Sequence, residues 1–301
     1  MKRYAFTMIE LIFVIVIMGI IGKFGIEFLA QAYKTFIFSS INNKLQSDSG
    51  YAVEYISKRL ENRIKESLIA RKTIASLPAA PDTVPINFAA GNTYNVLEWV
   101  SADVEGFRGL SDALPNLPAW SGIIDLYNPA SRATVLVSPG TDTGDIDTLI
   151  KALSYGDSDI SDAALYSIGA NSNVMESFGW SGILTQSGIM HPVTSTAISN
   201  QFQSSNEEDF TNADISEYYK LSWTANAVEY QDNGSGSGTL TFYWDYQPWN
   251  GDTLANAKHA VIMENVSTFQ FRAIGSTIKI QVCTKSILVE EYSLCKEKTI
   301  L

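Results

Sequence analysis

The sequence predicts an α+β protein. A long N-terminal helix, transmembrane in its first half and amphipathic in its second, packs on an antiparallel β-sheet domain carrying a large loop-rich insertion. Three observations lead there. Lys2 and Arg3 precede a run, residues 11–22, that holds no charged residue. Ile41, Leu45, Ala52, Ile56, Leu60, Ile64 and Leu68 then recur mostly at steps of four, the spacing of one helix face. The last third alternates apolar and polar residues in short segments separated by glycine turns, as strands and hairpins do.

Taken in order, the basic start and apolar run form a targeting pattern, and no small-residue cleavage site follows the run as in a secretory signal. Counted from Phe6 the apolar stretch reaches 17 residues, with Glu10 inside it. Lys2 and Arg3 belong on the cytoplasmic side by the positive-inside rule, which places the rest of the chain across the membrane. The periodic stripe continues the helix to about Ser76. Gly50 is a candidate kink, and Pro78, Pro81 and Pro85 terminate the helix. Strands are expected at 93–100, 122–126, 133–137, 220–224, 227–230 and 239–246, and later at 260–263, 268–273 and 277–283. The glycine-rich run 233–238 and the turn 274–276 serve as hairpin connections. Residues 139–217, rich in Ser, Asn, Gly and Asp, read as the insertion. The division is thus 1–5, 6–76 and 77–301.

Composition narrows the function classes. The 301 residues carry a net charge of -11, and 46% are hydrophobic against 18% charged, an ordinary globular balance. The charge is unevenly placed. Residues 1–75 hold 11 basic and 6 acidic side chains, whereas 76–301 hold 10 and 26. An acidic head offers no long-range attraction to phosphate backbones, so nucleic acid is not an expected electrostatic partner. The two cysteines, Cys283 and Cys295, are too few for a disulfide framework or a cysteine-only zinc site and leave one bridge or a thiol pair. The only histidines, His191 and His259, have no His or Cys neighbour at metal-ligand spacing, and no nucleophile-elbow, P-loop or H-E-x-x-H string occurs. The expectation is a protein without catalysis and without a required cofactor. The six tryptophans read as core residues before they read as a sugar-binding platform.

Glu10 is the informative residue, because a carboxylate in hydrocarbon is costly and calls for a partner. Ala5-Phe6-Thr7-Met8-Ile9-Glu10-Leu11 followed by an apolar helix resembles the leader and N-terminal helix of type IV pilins and type II secretion pseudopilins. The resemblance covers about the first 25 residues. It implies cleavage by a prepilin peptidase between Ala5 and Phe6 and N-methylation of Phe6. It also implies pairing of Glu10 with the terminal amine of an adjacent subunit. Ala5 stands where the family usually has glycine. No proline precedes Pro78, so the proline kink of many major pilins is absent, as suits a minor subunit.

What the resemblance implies further is a structural minor pilin or pseudopilin of a type IV pilus, type II secretion or DNA-uptake (competence) machine. Such a subunit is anchored in the inner membrane through residues 6–32 with a periplasmic head. Its partners are other pilins and an inner-membrane assembly platform, and it helps to initiate or cap a filament. The alternative is a binding module, an adhesin or a cargo or DNA contact, displayed at a filament tip on the same anchor. A C-terminal disulfide loop is common in the family, which favours the Cys283–Cys295 bridge. Some pseudopilins bind calcium. Asp142, Asp145 and Asp147 are the candidates here, with Asp157, Asp159 and Asp162 nearby, against the plainer reading of solvated acids and helix caps such as Asp147.

Overall fold

The computed structural model describes residues 7–75, 78–79, 81–89, 93–109, 117–131, 134–169, 173–182, 184, 189–205, 210–211, 213–234, 236–286 and 292–301. Helix α1 spans Met8–Glu61 and runs through Gly50 without a break. Its buried residues, from Ile41 through Leu45, Ala52 and Ile56 to Leu60, form one stripe at steps of three and four, the face laid on the sheet.

The helix ends fifteen positions before the expected boundary at Ser76, and no proline ends it. Arg63 Nη1 donates to the Leu60 carbonyl at 2.7 Å and Nη2 to the Ser276 carbonyl at 3.1 Å, so a buried guanidinium ties the last turn to the sheet. Ile64 then donates its N–H to Val100 O at 2.9 Å, and Ile69–Arg71 becomes strand β1. Ile64 and Leu68 are buried as the stripe predicts, but they flank a short 3-10 turn, Lys65–Ser67, rather than continuing the α-helix. Ladder bonds to two neighbouring strands outweigh the helix propensity that Arg63, Lys65, Glu66, Leu68 and Ala70 give this segment.

Strands β1, β2 (Thr83–Pro85), β3 (Val96–Ser101), β9 (Thr224–Asp232), β10 (Gly238–Trp244), β11 (Lys258–Ile274), β12 (Thr277–Lys285) and β13 (Ser293–Ile300) form one antiparallel sheet, ordered β13-β12-β11-β10-β9-β3-β1-β2. Pro85 lies on the edge strand, where a missing N–H costs no ladder bond. The expected strands at 260–263 and 268–273 are both parts of the 17-residue β11, which pairs with β10 through its first half and with β12 through its second. Register shifts near Val266, with Asn265 at φ 59°, mark the change of partner.

Cys283 and Cys295 face each other across β12 and β13 and are joined by a disulfide. Closing so short a loop contributes about 2–3 kcal/mol in the chain-entropy account. Three contacts follow α1 along this end of the sheet. Tyr292 Oη donates to Asn42 Oδ1 at 3.1 Å, Lys298 pairs with Glu54 at 2.7 Å, and Arg63 meets Ser276. Between them Ala52, Ile56 and Leu60 pack with Trp99, Phe242 and Val282.

The insertion is larger and more ordered than expected. Strands β3 and β9 are neighbours in the sheet, so the whole stretch 102–223 leaves and returns between them. It includes β4 (Val135–Val137), β5 (Ala164–Ser167), β6 (Met190–Ser195), β7 (Gln201–Ser204) and β8 (Tyr219–Ser222), which form a second sheet ordered β4-β7-β6-β5-β8. Helices α2 (Val104–Phe107), α3 (Thr143–Ser154) and α4 (Val174–Ser177) complete it. Ile146 and Ile150 of α3 reach a core of Leu136, Leu165, Phe202 and Leu221. The strand expected at 122–126 is a single bridge, Ile123 to Tyr218, because Gly122 turns the chain at φ 78°.

The two sheets meet through a shared core in which Ala164, Tyr166 and Met190 lie on Ile69, Val100 and Ala227. Trp180 donates its indole N–H to Ser67 O, and Trp249 to Asp162 O, each at 2.9 Å. Five of the six tryptophans are buried, and Trp244 is half-buried.

Candidate functional site

The feature that the fold leaves uncompensated is the first half of α1. Residues 8–36 are all exposed, and Ile41 is the first buried residue of the helix. At about 1.5 Å per residue, 8–40 extends roughly 50 Å beyond the head. This is the one helix among the described residues that is long and apolar enough to cross a membrane. The aqueous fold does not bury this surface; Phe13, Phe24, Ile26 and Phe28 are each between 66% and 72% exposed.

Glu10 sits in the first turn of this helix. Thr7 Oγ1 lies 3.5 Å from Glu10 Oε2, the outer limit of a hydrogen bond, and the carboxylate has no ion pair among the described residues. Lys23 and Glu27, the next charges along the helix, are 3.9 Å apart and offset each other. Ala5 and Phe6, the expected processing residues, lie outside the described residues.

The aspartates singled out in the insertion serve as caps and pairs. Asp142 is the N-cap of α3, where Oδ1 accepts from Gly144 N at 2.9 Å and Asp145 N at 3.2 Å. The cap therefore lies at Asp142, five residues before the expected Asp147. Asp147 accepts from Ile160 N and pairs with Lys151 at 2.7 Å, and Asp159 and Asp162 form a reciprocal capping box. Asp157 pairs with Lys258 at 2.6 Å. Among the described residues no three His, Cys, Asp or Glu side chains converge on a point where a metal ion would sit.

The two histidines are far apart in role. His259 is exposed against the Tyr243 ring, whereas His191 is 2% exposed, edge-on to Phe210, with Nε2 3.4 Å from Asp214 O. Burial pulls the His191 pKa down to about 4. The unfolded chain then takes up a proton near pH 6.5 that the folded chain refuses. Stability is therefore lost as pH falls from about 6.5 to 4, by on the order of 3 kcal/mol from this residue. Asp103, pushed up to about 6 by burial, acts with the opposite sign below pH 6. His191→Leu is expected to flatten the acid limb of the profile while Asp103 is common to both proteins. Urea unfolding at pH 7 and pH 4.5 measures this, and parallel losses in the two proteins would refute it.

Sequence reading did not find the cleft at the end of α1, assembled from Tyr55, Arg59 and Asn62 of the helix end, Ser101, Asn226 and Trp244 of the sheet, and Trp223, Glu105 and Leu153 of the insertion. These residues are scattered over some 190 positions, and only the tryptophans carried a local signal. Set against family models, curated proteins and solved structures, the chain finds no match in any of the three.

Proposed function

We propose that this chain is a membrane-anchored filament subunit of the type IV pilin and pseudopilin class, a minor subunit whose N-terminal helix drives assembly. The observation that carries the reading is the length of apolar helix left uncovered. A bilayer core of about 30 Å takes up about 20 helical residues, roughly 8–27. Past residue 32, where the anchor ends, Tyr33, Phe36 and Phe38 remain exposed in the aqueous stalk before the head begins to cover the helix at Ile41. A surface of that kind is stable in water only when covered, and parallel helices of neighbouring subunits supply a cover of matching length and chemistry.

Glu10 fits the same arrangement. Placed near the cytoplasmic edge of the bilayer, its carboxylate is neutralised by the terminal amine that cleavage before Phe6 creates on an adjacent subunit. The prepilin peptidase, the other pilins and the assembly platform are the partners this requires. The machine served is a pilus, a type II secretion system or a competence apparatus. Mass spectrometry of the protein isolated from its assembled state tests the processing step. The expected N-terminus is N-methylated Phe6, and an intact Met1 in assembled protein would overturn it.

Display of a binding module on the same anchor is favoured by a separate observation. The cleft described above lies at the opposite end of α1 from the membrane.

A further inference from the structure

Where α1 stops, its last turns and the insertion stand apart over the ends of strands β3, β9, β10 and β11, and a cleft of about 300 Å³ opens between them. Its lining is aromatic and polar in alternation. Trp244, half-buried, stacks on Phe242 with ring centroids 5.7 Å apart and planes 15° apart. Phe242 in turn holds Tyr55 edge-on at 5.4 Å, and the Arg59 guanidinium lies 5.4 Å from the Phe242 ring and 5.5 Å from the Tyr55 ring. The aromatic surfaces of the cleft are therefore held by the core before any ligand arrives, a preorganisation that lowers the cost of binding.

The polar groups are the stronger sign. Asn226 alternates with Val228 along β9, so it lies on the helix-facing side of the sheet, and it is 4% exposed. Its Nδ2 donates to Ser101 Oγ at 2.5 Å, while its Oδ1 has no hydrogen-bond partner among the described residues. That oxygen is free to accept from a ligand hydroxyl that enters the cleft. Asn62, at the helix end, likewise has no hydrogen bond to its side-chain amide among the described residues. Asp103 by contrast is spent on the wall, accepting from Gly106 N at 3.2 Å and Trp120 Nε1 at 3.0 Å. Arg59 and Glu105 bring opposite charges to the rim, so the cleft selects for neither an anion nor a cation.

We propose that this cleft binds a neutral pyranose residue of a glycan. A pyranose presents an apolar C–H face that lies on an aromatic ring, and a rim of hydroxyls that each donate and accept. Amide side chains match such a rim because they carry both functions in one plane. Trp244 supplies the ring and Asn226 and Asn62 the amides, and the volume falls at the small end of small-ligand clefts. The site binds and positions; it performs no bond cleavage. The proposal deepens the reading of the head as a displayed binding module and is independent of Glu10, because the isolated chain reports binding without assembly.

The test uses the full chain in an amine-oxide detergent, chosen because it has no sugar headgroup. Saturation-transfer NMR is recorded with the methyl pyranosides of glucose, galactose, mannose and N-acetylglucosamine. At least one is expected to bind with a millimolar Kd, and Asn226→Ala and Asn62→Ala are each expected to weaken it about tenfold. Asn62 is partly exposed and off the core, so its variant reports on binding even where Asn226→Ala lowers the Tm. Absence of transfer to all four glycosides overturns the proposal, as does transfer that the Asn62 variant leaves unchanged.

Discussion

Gly179→Ala is expected to cost at least about 4 kcal/mol or to separate the two sheets. Gly179 has φ 81°, in the left-handed region where a side chain is strained by roughly 1–2 kcal/mol. A Cβ at this position would lie 2.3 Å from Pro248 O, 2.5 Å from Pro248 C and 2.7 Å from Trp249 Cα. All three are main-chain atoms, so no rotamer change relieves the contact. The segment on one side carries Phe178 and Trp180 of the insertion, and the one on the other follows β10 of the main sheet. Glycine is what lets the two backbones touch, and the shared core with Trp249 depends on that approach. The loss is expected as a lowered urea midpoint with release of Trp180 and Trp249 fluorescence. Gly182→Ala provides the control: it has φ 74°, but a Cβ there meets no atom within 4 Å. It is expected to show the backbone strain alone. Equal losses in the two variants would refute the packing argument.

The parts of this fold that were legible in the sequence are those whose signal is local. The apolar run, the stripe from Ile41 to Leu60 and the hairpin at 274–276 each follow from side-chain period or turn chemistry within one element. Cysteine count left one bridge or a thiol pair, and the register of β12 against β13 brings Cys283 and Cys295 opposite each other. Where the reading failed, the deciding contact was distant. Residues 62–71 continue the helical stripe, yet Ile64 bonds to Val100 and Ile69 pairs with Glu98 and Pro85. In the insertion, β5, β6 and β7 are four to six residues long, and β6 contains Pro192, so none carries enough alternation to be told from a loop. The N-terminus of α3 is readable in principle, since Asp142 precedes Ile146 and Ile150 at helical spacing, and the cap expected at Asp147 lies five residues inside the helix start.

The same division holds for function. Glu10 stands out in one dimension because a carboxylate interrupts an apolar run, whereas the cleft at the end of α1 needs residues from helix, sheet and insertion to be brought together. A tryptophan count cannot distinguish Trp99, which is fully buried, from Trp244, which lines the cleft. The asparagine that completes the cleft, Asn226, is one of several polar residues on β9, and no local signal sets it apart from Thr224, Glu229 or Gln231.

On the pilin-class reading proposed above, replacing Glu10 with leucine is expected to abolish incorporation into filaments while leaving the chain in the membrane. The two consequences separate because they depend on different free energies. Insertion depends on transfer of the whole apolar segment, and removing an acid from it lowers the cost, by less than the about 2.5–3.5 kcal/mol that a charge costs at the bilayer centre because Glu10 lies near the edge. Membrane retention is therefore at least as strong as in the wild type. Folding of the head is untouched, because Glu10 lies roughly 45 Å along the helix from Ile41, the first residue packed on the sheet. Assembly alone is penalised, since the neighbour's terminal amine would enter hydrocarbon with no counter-charge. Removing one member of such a pair costs about 3–5 kcal/mol, enough to lower incorporation more than a hundredfold. Glu10→Asp keeps the charge but shortens the side chain by one methylene, so it is expected to fall between the two. The amounts of each variant in the sheared filament fraction and in the membrane pellet measure the effect. Wild-type incorporation of the leucine variant would show that the acid sets no register, whereas its loss from the pellet would mean that Glu10 serves insertion rather than subunit contact.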